Sequence, residues 1–75
     1  MFDRSKMLAA LQWLGANPDK HLEGDLALNS EGDRVTTMSE EAECFCALGR
    51  YAREAGINVM RLDDTKFKTW YHPSA

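Results

Sequence analysis

Between Met7 and Leu14 the chain reads Met-Leu-Ala-Ala-Leu-Gln-Trp-Leu. Met7, Leu11 and Leu14, with Leu8 beside them, recur at the three- and four-residue spacing of one helix face. Asp3 or Ser5 can cap the start, and Gly15 or Asn17 ends the element before Pro18. Trp13 falls off the centre of the face, where it covers the core edge or stays partly exposed. Arg4 and Lys6 precede the apolar run as they would in a secretion signal, but removing it would leave too small a core, so it reads as a helix of the fold.

From Lys20 the period changes. Leu22 to Leu28 alternates in part, with Leu26 and Leu28 on one side; Asn29-Ser30-Glu31-Gly32-Asp33 is a turn cluster, and Arg34 to Thr37 has strand propensity. A hairpin is expected, and because two strands alone are marginal it should lie against helices.

The clearest helical pattern runs from Ser39 to Gly56. Ser39 is a suitable N-cap, and Thr37 with Glu40 offers a capping box two residues earlier. Glu40, Glu41 and Glu43 crowd the first turn, Arg50 and Arg53 lie toward the end, and Gly56 fits the left-handed stop. Phe45, Leu48, Ala52 and Ala55 form the apolar face, widened by Cys44 and Tyr51. After it, Ile57 to Leu62 could add a third strand, with Ile57 and Val59 facing one way and Met60 and Leu62 the other. In the tail, Phe67, Trp70 and Tyr71 match a helical turn capped by Asp64 and ending before Pro73, whereas Phe67, Thr69 and Tyr71 match a strand; the helical turn is preferred. The pattern predicts one α+β domain spanning residues 1–75. Two helices pack on a short antiparallel hairpin or three-stranded sheet, and 39–55 is the longest helix.

Length adds a constraint. A chain of 75 residues sits where a core rarely supplies more than about 3 to 5 kcal/mol, so self-association or a partner is expected. Hydrophobic residues make up 44% and charged residues 28%, which excludes wholesale disorder. The net charge of −3 argues against broad binding to DNA or anionic membranes. No apolar run approaches a membrane span. Two cysteines set two apart in a helix cannot pair, which implies a reduced, cytoplasmic setting.

Candidate chemistry is sparse. On a helix Cys44 and Cys46 diverge by roughly 200°, Cys44 inward and Cys46 outward beside Arg50, so neither a disulfide nor a metal site is expected. His21, Glu23 and Asp25 alternate as on a strand face and could hold a cation or move a proton, but a solvated face accounts for them. The His-x-Glu pair lacks the downstream Pro-Cys-x-x-Cys of zinc deaminases. The glycines form no phosphate cradle, the 29–33 cluster is no calcium loop, and no serine, histidine and acid can be ordered into a triad. No enzyme activity and no cofactor are expected.

Gly49 inside the predicted helix costs about 1 kcal/mol relative to alanine, which implies a close approach by the other helix or by a partner. Ala42 and Cys46 extend it into a strip of small side chains, coverable by a second copy or by the N-terminal helix. Lys66-Phe67-Lys68-Thr69-Trp70-Tyr71-His72 is the locally basic segment, with aromatics interleaved among cations as for stacking bases; in so small a chain core packing is the preferred use of these rings, and a protein interface comes next if they are exposed.

The run Ala42-Glu43-Cys44-Phe45-Cys46-Ala47-Leu48-Gly49-Arg50-Tyr51-Ala52-Arg53 resembles the Cys-x-Cys-x-x-Gly helix of an uncharacterised family of small bacterial and phage proteins, and the layout from about Gly24 to Gly56 is similar. The resemblance implies a phage or mobile-element origin and carries no activity. Together these features lead to the expectation of a non-enzymatic accessory protein or inhibitor that occupies a host protein surface, or forms a homodimer. The expected contact residues are Lys66, Phe67, Lys68, Trp70, Tyr71, Gly49 and Cys46. The alternative is a nucleic-acid binder using the basic aromatic tail, which the acidic net charge favours less.

Overall fold

The computed structural model describes residues 2–61. In order these form helix α1 (Arg4–Ala16), a single 3-10 turn at Pro18–Lys20, strands β1 (Ala27–Leu28) and β2 (Cys44–Phe45), and helix α2 (Ala47–Glu54). The strands pair antiparallel, Ala27 opposite Phe45 and Leu28 opposite Cys44, and the two helices pack on each other and on this sheet. The class is α+β, as the periodicity predicts.

Helix α1 forms where expected. Asp3 caps it by accepting the N–H groups of Ser5 at 3.0 Å and Lys6 at 3.3 Å. Asn17 closes it, its side-chain amide donating to the Trp13 carbonyl at 2.9 Å before Pro18 stops the chain. The buried face differs from the predicted one. Ala10 and Leu14 are buried, with Met7 packed beside them and Trp13 at the margin, whereas Leu8 and Leu11 are exposed. At 100° per residue the face is turned by roughly 80° from the expected one. Small Ala10 lets the helices approach, and it joins Leu26, Tyr51, Ala52, Ile57 and Val59 in the core.

The helix predicted from Ser39 begins only at Ala47, and the 13-residue α1 is longer than the 8-residue α2. The cap signal at Ser39 is spent on a turn. The Ser39 hydroxyl accepts the Glu41 N–H at 3.1 Å, and the Ala42 N–H reaches the Ser39 carbonyl at 3.2 Å. Beyond the turn, sheet pairing captures the backbone: the Glu43 N–H donates to the Leu28 carbonyl, and the Phe45 carbonyl accepts the Leu22 N–H, both at 2.9 Å. Phe45 thereby becomes buried, and tertiary burial outweighs the local helical preference. Gly56 does stop α2, with φ of 76°. The Ile57 N–H bonds to the Ala52 carbonyl at 2.7 Å and the Gly56 N–H to the Arg53 carbonyl at 3.2 Å, the paired bonds of a Schellman motif.

The sheet is also smaller than predicted. Gly24, at φ of 96°, and a bend at Glu23 break the proposed strand from Leu22, leaving His21 in a lone bridge to Phe45. Of the expected hairpin, a single bridge remains, Leu28 to Arg34. Ile57 and Val59 are buried but form no third strand. Thr37 meets them with its side chain: its hydroxyl donates to the Ile57 carbonyl and accepts the Val59 N–H at 3.1 Å, while its own N–H donates to the Val59 carbonyl at 2.9 Å. A hydroxyl occupying one rung prevents a continuous ladder. Leu62 and the predicted tail turn lie outside the described residues.

Candidate interaction surface

The residues proposed from sequence divide into two groups. Lys66, Phe67, Lys68, Trp70 and Tyr71 lie outside the described residues. Gly49 and Cys46 lie at the start of α2 and face the chain's own core. Gly49 is buried against the backbone of Leu26, so the close approach is made by the segment leading into β1. Cys46 is the N-cap of α2, its Sγ accepting the Gly49 N–H at 3.3 Å, and it packs against the core. With residues 42–46 off the helix, Ala42 shares no helical strip with Gly49. The Cys-x-Cys half of the run that carries the family resemblance is extended, and only the part from Ala47 is helical.

The polar cluster at 21–25 does not converge either. His21 and Glu23 are exposed, and Asp25 pairs with Arg34, whose guanidinium approaches Asp25 Oδ1 at 3.0 and 3.1 Å. No group of three or more histidine, cysteine, aspartate or glutamate side chains among the described residues could hold a metal ion.

Around Arg50 the surface is organised by aromatic rings. Its guanidinium lies 4.1 Å from the Trp13 ring centre and 5.2 Å from that of Phe45, and the two rings meet edge to face at 5.5 Å. The same guanidinium pairs with Glu54 at 2.7 Å, one helical turn on. Arg53 ties the 36–42 turn to α2 by donating to the carbonyls of Thr37 and Ser39 at 3.0 and 2.8 Å. These arginines are thus engaged in holding the fold.

The exposed apolar surface is on α1. Leu8 is 60% exposed and Leu11 49%, and at positions i and i+3 they share one side of the helix. Phe2 is also exposed, though its ring stacks on Tyr51 with centres 4.9 Å apart. Phe2, Arg4, Met7 and Leu8 line a shallow pocket of about 150 Å³ beside this stripe. Arg4 and Lys6 give α1 two positive charges and it carries no acid, in a chain whose net charge is −3. The position of α1 is secured from its N-terminus, where the Asp3 N–H donates to the Tyr51 hydroxyl at 3.0 Å. The sequence pattern contained Leu8 and Leu11 but placed them in the core, because an apolar sector wider than one neighbour can cover does not say which part is covered.

No helix among the described residues is long and apolar enough to cross a membrane. Comparison with family models, curated proteins and solved structures finds no match.

Proposed function

We propose that the protein is a non-enzymatic interaction module that binds another protein through the exposed side of α1. The observation that carries this reading is the pairing of exposed Leu8 and Leu11 with a pocket lined by Phe2, Arg4, Met7 and Leu8 itself. Such leucines at helical spacing are the anchors of helix-in-groove recognition. Arg4, one turn before Leu8 on the same side of the helix and part of the pocket lining, selects a partner groove with an acidic rim. In a chain this small, covering that side also adds apolar burial that the isolated domain lacks. An accessory protein or inhibitor of phage or mobile-element origin, occupying a host protein surface, is the biological form of this proposal.

The test is affinity capture with wild type and with Leu8→Glu/Leu11→Glu, both checked for helix content by circular dichroism. A partner retained by wild type, lost with the double variant and weakened by salt supports the reading. Identical captured sets from two equally folded proteins would sink it.

A further inference from the structure

The extended path through Cys44 and Cys46 changes what those two residues can do together. Phe45, between them, is buried, and Cys46 keeps extended dihedrals of φ −84° and ψ 174°, so alternation turns both cysteines to the side opposite Phe45. Cys44 there lies opposite Leu28 across the sheet. Both thiols are free and both residues are partly exposed. We propose that Cys44 and Cys46 form a two-sulfur chelate for a soft, thiophilic monovalent cation of the copper(I) type.

Spacing selects this chemistry over a disulfide. Two residues of strand advance the chain by roughly 6.4 to 6.8 Å, whereas a disulfide needs β-carbons about 3.5 to 4.5 Å apart. With bonds of about 2.3 Å, the length of a zinc–thiolate bond, an ion bridging two sulfurs spans about 4.6 Å, which is reached when the Cys44 side chain leans toward Cys46 Sγ. Ligand number selects the metal. Zinc sites take three or four protein donors, and the described residues offer no cluster of three, whereas copper(I), which soft thiolates select, is satisfied by two. Binding releases both thiol protons and leaves a bis-thiolate complex of charge −1. The Gly49 N–H, already directed at Cys46 Sγ at 3.3 Å at the N-terminus of α2, is placed to stabilise that charge.

The experiment titrates the reduced full chain anaerobically with copper(I) against a chromophoric copper(I) chelator, alongside Cys44→Ser, Cys46→Ser and the double variant. Serine retains the cap at position 46, so loss of binding there does not report loss of α2. Circular dichroism confirms this. The expected result is one copper per monomer, with each single substitution weakening binding by more than about a hundred-fold, the upper end of what loss of even an outer-shell contact costs. Equal copper retention by the wild type and the double variant would overturn the proposal as adventitious binding. One copper shared by two chains would overturn the single-chain chelate. Ready formation of a Cys44–Cys46 disulfide with glutathione disulfide would overturn the spacing on which it rests.

Discussion

A β-carbon placed on Gly49 would lie 1.8 Å from the carbonyl oxygen of Leu26 and 2.6 Å from its carbonyl carbon. Both neighbours are backbone, so no side-chain rotation can make room. Glycine is therefore kept despite a helix cost of about 1 kcal/mol, because it lets α2 rest directly on the chain entering β1. Gly49→Ala should lower stability by about 2 kcal/mol or more in urea unfolding, against the helical preference of alanine. An unchanged or raised midpoint would contradict the close approach. A larger side chain, as in Gly49→Leu, meets the same backbone and disrupts the monomer itself.

Thr37 is completely buried and joins the loop before β2 to the segment after α2. Thr37→Val keeps the shape but strands the Val59 N–H and the Ile57 carbonyl, which should cost about 1 to 3 kcal/mol. Thr37→Ser keeps the hydroxyl and should lose less. Chemical denaturation of the three proteins checks the order, and valine matching wild type would refute it.

The Asp3 carboxyl is held below the usual aspartate range, first by the Ser5 hydroxyl, then by the Lys6 N–H, with the Ser5 N–H and the Lys6 charge adding to the effect. A depressed folded pKa contributes stability that is present above the unfolded value and lost as pH falls through the folded one. The melting temperature of wild type should therefore exceed that of Asp3→Ala at neutral pH, and the gap should close in acid. A gap independent of pH would show that the charge of the cap is irrelevant.

Arg50 lies over Trp13 with most of its side chain out of water. A double-mutant cycle with Trp13→Leu and Arg50→Met should give a coupling of about 0.5 to 2 kcal/mol. Additive losses would mean that the ring and the cation merely sit side by side.

What could be read from the chain depended on whether a signal had one structural use or two. Asp3, Asn17 and Pro18 bracket α1 because cap and stop act within a few residues, and Gly56 ends α2 for the same reason. Ser39 was ambiguous, since a hydroxyl that caps a helix serves a turn equally well, and only the pairing of Glu43 and Phe45 with distant backbone decided between them. Cys46 could not be anticipated as a cap, because sulfur is a weak acceptor seldom found in that role. The candidate surface was legible in its residues and not in its exposure. Leu8 and Leu11 belong to the apolar pattern of α1, but which sector α2 covers is settled by Ala10, where the helices meet.

The hydrogen bond from Asp3 to Tyr51 spans 48 positions, and most of the residues that bury Ala10 come from Tyr51 onward. During synthesis the first helix therefore leaves the ribosome with its inner side uncovered, and Val59 follows Leu14 by roughly 2 to 9 s at about 5–20 residues per second. For that interval the nascent chain presents Leu8, Leu11, Ala10 and Leu14 together, a broader apolar sector than the finished protein shows, and one that chaperones of the exit site are suited to shield.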